Sequence, residues 1–289
     1  MPNKKKKRKR TKGEQHLPMP YRNQQQLLDA IERYRKPYIE PYFQLRVQRA
    51  AIYMGADATT FRAYRHTAIY TPSTVYRMWV FNNFYHDGVF IQEMNAEGFA
   101  KSISTKRKYK QFHDRVCQSF EAYWKEINNG NGSIDYGQQR KLVDLWMKSA
   151  VLLKDLREDS RKALVKVINV PLDQYSLYLL KHLYHQQVVK ADPELKNLPT
   201  VPSMGWVKDE KHYWAFQLFI QKLSGRYPAI YYDFVAWNST HPRIVNLETV
   251  VKRNEKHELS EVVLVVKDSS KRNRKRKESK VQADETQAS

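Results

Sequence analysis

At 289 residues, 41% hydrophobic and 12% aromatic, the chain can bury a sizeable core and is too rich in Tyr, Trp and Phe for a wholly disordered polymer. Its single cysteine, Cys117, excludes an internal disulfide, a four-cysteine iron–sulfur cluster and a cysteine-rich zinc site, and no apolar run approaches the roughly 20 residues of a membrane span. The formal net charge of +21 suits a polyanionic partner, because each phosphate neutralised releases condensed counterions.

The charge is concentrated at the ends. Residues 1–13 hold eight Lys or Arg and no acid, among them Lys4, Lys5, Lys6, Lys7, Arg8, Lys9 and Arg10. Residues 1–20 read as a disordered basic arm that lacks the apolar stretch of a signal peptide. Two readings of it stand: a phosphate anchor and a nuclear-import address. Asn23 predicts the cap of a helix reaching about Arg35, with Leu27, Leu28, Ile31 and Tyr34 at helical spacing. That helix is expected to stop ahead of Lys36-Pro37, since proline disfavours a helical residue before it. The stretch from Pro41 to Gly55 reads as a second helix. Thr71-Pro72 opens a third, dense in Val75, Met78, Trp79 and the run from Phe81 to Phe84. Asp87, Glu93 and Glu97 fall in a loop-like segment with no paired carboxylate. Ser102 or Ser104 opens a long helix through Trp124, with Tyr109, Phe112, Val116, Phe120 and Trp124 on one stripe, and Gly130 and Gly132 end it.

The next helix is expected to start near Gln138 and to bury Leu142, Leu145, Trp146 and Ser149. Its first amides have no helical partner. With the helix dipole, Arg140 and Lys141 they predict an anion site that also takes in Gly137 and Gln138. Asp144 is placed to pair with Lys148 one turn on. A charged connector leads to Pro171-Leu172-Asp173, where Asp173 heads a helix that turns Leu177, Leu180 and Tyr184 inward. An aspartate cap stabilises a helix by about 1 kcal/mol with no further role, so a cap and a chemical carboxylate are both open readings. His182 and His185 suit the end of that helix better than a metal. A loop with Pro193, Pro199 and Pro202 follows. Asp209 caps a helix carrying Tyr213, Phe216, Phe219, Ile220 and Leu223, which Gly225 stops. Pro228 starts AIYYDFVAWN, where Asp233, Asn238 and His241 form a polar cluster or the run is simply a core helix.

After His241-Pro242 the short β-branched runs of residues 243–266 predict a β-hairpin. Residues 267–289 hold eight Lys or Arg and four acids, including Arg272, Arg274, Lys275, Arg276 and Lys277. The two tails carry +8 and +4, leaving +9 of the +21 for the body. Neither tail interleaves aromatics, so both are expected to contact phosphate without stacking on bases. No Gly-rich phosphate loop or spaced metal-ligand set occurs, and no cofactor is expected.

Gly137-Gln138-Gln139-Arg140-Lys141, then Pro171-Leu172-Asp173-Gln174-Tyr175, then Tyr232-Asp233-Phe234-Val235-Ala236-Trp237 resemble the helix-hairpin-helix DNA glycosylase superfamily. There a G-V-G-R-K-type segment leads a lysine helix, and a V-D-T-H or L-D-T-H segment leads an aspartate helix. The longer spacing here is closer to an uncharacterised bacterial branch whose segments read K-R-L-N-x-F-L-R-W and I-P-L-D-T-H, with a later D-F-A-L helix. The likeness runs from Gly130 to Trp237. It implies a mainly α, two-lobed helical body over 21–242 that binds DNA at the hairpin. It further implies that Lys141 is the amine attacking the sugar C1′ and that Asp173 stabilises the developing oxocarbenium charge. A flipped nucleotide would be held against Trp146, Trp206 or Tyr175, and for each of the three a place in the core is the other reading. The chain keeps one hairpin glycine, Gly137, carries Gln174-Tyr175 in place of Thr-His, and lacks the family's terminal cysteines, differences that bear on activity more than on fold. The expectation is a DNA-binding base-excision glycosylase or AP lyase, with DNA favoured over RNA and no membrane partner. It would be intracellular, nuclear in a eukaryote and cytoplasmic or nucleoid-bound in a prokaryote. Two alternatives stand beside it: a DNA-binding module without catalysis, and an RNA-binding factor.

Overall fold

A computed structural model of the protein describes residues 21–46, 72–84, 88–130, 134–186 and 204–240. Both basic tails, the expected hairpin at 243–266 and the proline loop around 193–202 lie outside the described residues, as does most of the expected helix from Pro41 to Gly55. What is described is mainly helical, with β-structure limited to a bridge at Leu153.

Helix α1 (Gln24–Tyr34) starts where Asn23 accepts the Gln26 amide at 2.9 Å. The chain does not break at Lys36-Pro37. A π-helical turn, Arg35–Ile39, carries it into α2 (Glu40–Gln44). Proline has no N–H for the preceding turn, and the wider turn accommodates that loss. Arg35 bonds Glu32 and Glu40, at 2.8 Å each, and so ties the turns on either side together. Helix α3 (Pro72–Phe84) is followed by two short helices that replace the loop-like reading, α4 (Val89–Asn95) and α5 (Phe99–Ser102). They form because Phe90, Ile91, Met94 and Phe99 can all reach the core, which outweighs a weak local propensity.

Helix α6 (Lys106–Ile127) is the longest described, capped by Thr105, which accepts the Lys108 amide at 3.2 Å. Its expected stripe is the observed one: Tyr109, Phe112, Val116, Phe120 and Trp124 are each at most 2% exposed. The helix ends as Asn129 and Gly130 take left-handed φ of 52° and 73°, and the Gly130 amide turns back to Lys125 O at 2.8 Å. Helix α7 (Tyr136–Ala150) packs along α6. The charged connector contains a helix that its sequence pattern does not announce, α8 (Glu158–Val167), which lies against α5 and buries Leu164 and Val167.

Asp173 caps α9 (Gln174–Gln186). A 3-10 turn at Met204–Trp206 packs on α7, and Asp209 caps α10 (Glu210–Ser224), accepting the His212 amide at 2.9 Å. Helix α11 (Ile230–Thr240) lies between α1, α9 and α10. One contiguous core joins these elements. It includes Trp79, Trp124 and Trp146, all at most 1% exposed, and burying such a side chain contributes at least about 2 kcal/mol.

Candidate functional site

Asp173 does two things at once. Its Oδ1 accepts the amides of Tyr175 and Ser176 at 2.9 and 3.0 Å, satisfying two of the free donors at the start of α9. Its own amide donates to Ser176 Oγ at 2.8 Å, which closes a reciprocal capping box. The remaining oxygen, Oδ2, accepts the indole N–H of Trp237 from α11 at 3.0 Å. The carboxylate is 6% exposed, and the half-buried rings of Tyr175 and Trp237 lie beside it with centroids 5.0 Å apart.

Next to this cap runs a short array of alternating charge. Lys148 on α7 donates to Asp233 Oδ2 on α11 at 2.6 Å, and its ammonium lies 4.4 Å from the Phe234 ring centroid. Asp233 is 2% exposed, and its Oδ1 is buried with no hydrogen-bond partner among the described residues. Burial pushes the Asp233 carboxyl up, Lys148 and Lys141 pull it down, and Asp173 pushes it up again. Burial pulls Lys148 down, but Asp233, Tyr42 and Asp173 outweigh this and leave it above the usual lysine value. Asp233 thus feels the charge of both Asp173 and Lys141, two residues from separate helices. Lys141 is 6% exposed.

The surroundings of Lys141 differ from the open anion site that the sequence suggested. The helix begins at Tyr136, so Lys141 stands in its second turn. Gly137 is buried, and a Cβ there would overlap the Met204 carbonyl and the Val207 side chain, so the 3-10 segment covers the helix start. Gln138 is half-buried. Arg140 turns inward at 7% exposure, donates to Asp114 Oδ1 at 2.6 Å, and lies over the Tyr136 ring at 4.8 Å. Gly137 and Arg140 are therefore packing residues in this structure, with no face open to a backbone phosphate.

Asp144 does not pair with Lys148. It is fully buried and turns to other partners, accepting the Tyr213 hydroxyl at 2.9 Å and facing His113 Nε2 at 2.9 Å. Asn169 donates to that same Tyr213 oxygen at 2.7 Å, and Arg140 approaches His113 Nδ1 at 3.2 Å. Burial lowers His113, so the imidazole is held neutral despite its carboxylate neighbour. This network is sealed from solvent and ties α6, α7 and α10 together; it is not a place for a substrate.

Of the aromatic walls suggested by the sequence, Trp146 is core, stacked on Phe84, while Trp206 is 40% exposed and Tyr175 is half-buried at the Asp173 cap. Trp237, Lys148 and Asp233 join the site without having been assigned a chemical role from the sequence, although Asp233 and Trp237 lie in the third segment of the resemblance. The usable signal was a lone acid inside the apolar run of Ile230–Thr240, together with a lysine two turns beyond Lys141 on the same helix. The cations of the tails, Lys4 to Arg10 and Arg272 to Lys277, lie outside the described residues. Among the described residues no helix is long and apolar enough to cross a membrane. No protein family, curated protein or solved structure matches the chain.

Proposed function

We propose that this protein is an intracellular nucleic-acid-binding protein, with DNA preferred to RNA, and that Lys141, Asp173 and the Lys148–Asp233 pair belong to a base-excision site of the helix-hairpin-helix glycosylase type. The observation that carries the reading is that the helices of Lys141 and Asp173 both tie to α11: the Asp173 carboxylate accepts the Trp237 indole, and Lys148, two turns beyond Lys141 on α7, donates to Asp233. In this reading the Lys141 amine bonds to C1′ of an extruded nucleotide as the glycosidic C1′–N bond breaks; the base leaves with the bonding pair and takes up the proton that the amine releases, and Asp173 stabilises the positive charge that develops on the sugar. Tyr175 and Trp237 offer the base an aromatic wall.

The test is borohydride trapping on duplex DNA that carries an abasic site. The expected outcome is a covalent adduct that Lys141→Ala abolishes and Asp173→Asn reduces while the variant stays folded. A second reading, a binding module without catalysis, draws support from the Asp173 hydrogen bonds, since cap and indole occupy both oxygens. Salt-sensitive binding with no adduct would favour it, and preference for structured RNA at matched salt would favour an RNA-binding factor.

A further inference from the structure

We propose that the corner where α5, the start of α6 and the end of α8 meet is a docking surface for the sugar–phosphate backbone of nucleic acid. It rests on the nucleic-acid reading above but not on catalysis at Lys141. Five basic side chains gather there from three elements, four of them exposed. Lys106 Nζ reaches the Val167 carbonyl at 2.8 Å, which brings the first turn of α6 to the last turn of α8, beside Lys166. Lys108 Nζ lies 3.4 Å from the Lys101 carbonyl, which brings α6 to the end of α5. Arg107 stands between them in sequence. Lys101, Arg107, Lys108 and Lys166 are exposed, and Lys106 is half-buried.

What marks this corner is that basic side chains from three elements meet there without counter-charge. Several other surface cations are answered by acids: Lys110 by Asp114 and Glu210, Arg115 by Glu93, Lys125 by Glu121, Arg35 by Glu32 and Glu40. Among the described residues none of the five makes an ion pair; Lys106 and Lys108 reach only backbone carbonyls. The start of α6 has no acid in its first turn, whereas α8 begins with Glu158 and Asp159. Like charges held together at the positive end of a helix repel one another, and a row of phosphates relieves that repulsion. A nucleic-acid backbone is the occupant with the right chemistry: repeated negative charge that lysines engage without fixed geometry.

The test is binding of the full chain to duplex DNA, structured RNA and anionic lipid vesicles across a salt series. Three proteins are compared: the natural sequence, a variant with Lys101, Arg107, Lys108 and Lys166 changed to Gln, and a control with Arg22, Lys36 and Lys222 changed to Gln. Circular dichroism verifies that all three fold alike. The expected result is that the first variant weakens nucleic-acid binding at least about tenfold and flattens the logarithmic salt slope by roughly 0.9 for each phosphate it no longer neutralises, while the control stays within about twofold. If the natural chain binds nucleic acid and the first variant binds equally well, or the control weakens as much, the corner is not the surface, although the nucleic-acid reading stands. If the natural chain binds neither DNA nor RNA, or only vesicles, that reading and this inference fall together.

Discussion

Lys148 shows how a charged residue becomes structural. Its ammonium is fixed by the buried Asp233 carboxylate and by the faces of Phe234 and Tyr42. Lys148→Met would leave the buried Asp233 carboxyl without its hydrogen-bonded cation, a change expected to cost about 3–5 kcal/mol, whereas Lys148→Met combined with Asp233→Leu should recover most of it. Urea unfolding midpoints of the two variants decide this. Lys106 makes a different prediction. Burial holds its amine down to about 7, with only the distant pull of Asp144 against it. Between that value and its ordinary value the unfolded chain binds more protons than the folded one, so stability should rise with pH through this window. Lys106→Met should flatten that rise in thermal unfolding measured from pH 7 to pH 10. The roles of single polar residues were the least legible part of the sequence. Spacing places Asp144 near Lys148, but only packing shows that Asp144 faces α6 and α10 and that Lys148 faces α11.

At the scale of elements, helices with both a cap and a stripe could be read directly. Asn23, Asp209 and Gly225 mark ends in the sequence, and the apolar spacing of α6 and α10 fixes the buried face. The misses share a cause. Helices α4, α5 and α8 are short, with few apolar residues each, and hold their shape through packing against distant parts of the chain. The turn at Arg35–Ile39 escaped for another reason: the rule that proline ends a helix assumes α-geometry, and a π turn sidesteps it. Gly137 is the clearest element-level test. Gly137→Ala places a methyl group against the Met204 backbone, and the expected cost is about 1–3 kcal/mol from overpacking. A chemical denaturation midpoint no lower than that of the natural protein would show that the 3-10 segment is free to move off the helix.

Across the whole molecule, charge and fold are separable. The helical body holds the core, and the tails hold much of the positive charge. Replacing the seven cations from Lys4 to Arg10 with Gln should flatten the salt dependence of the proposed DNA binding, by about 0.9 per phosphate left without its cation, with no change in the thermal midpoint. The chain also carries its own gauge of openness. Cys117, its single thiol, is 1% exposed and packed on His113, and burial pushes the thiol far above its usual value. An alkylating reagent therefore meets neither an accessible sulfur nor a thiolate while the helices stay closed. Mass spectrometry should record no iodoacetamide adduct at short times in buffer and one adduct per molecule in denaturant, and the slow appearance of that single adduct in buffer would time how often α6 lifts from its neighbours.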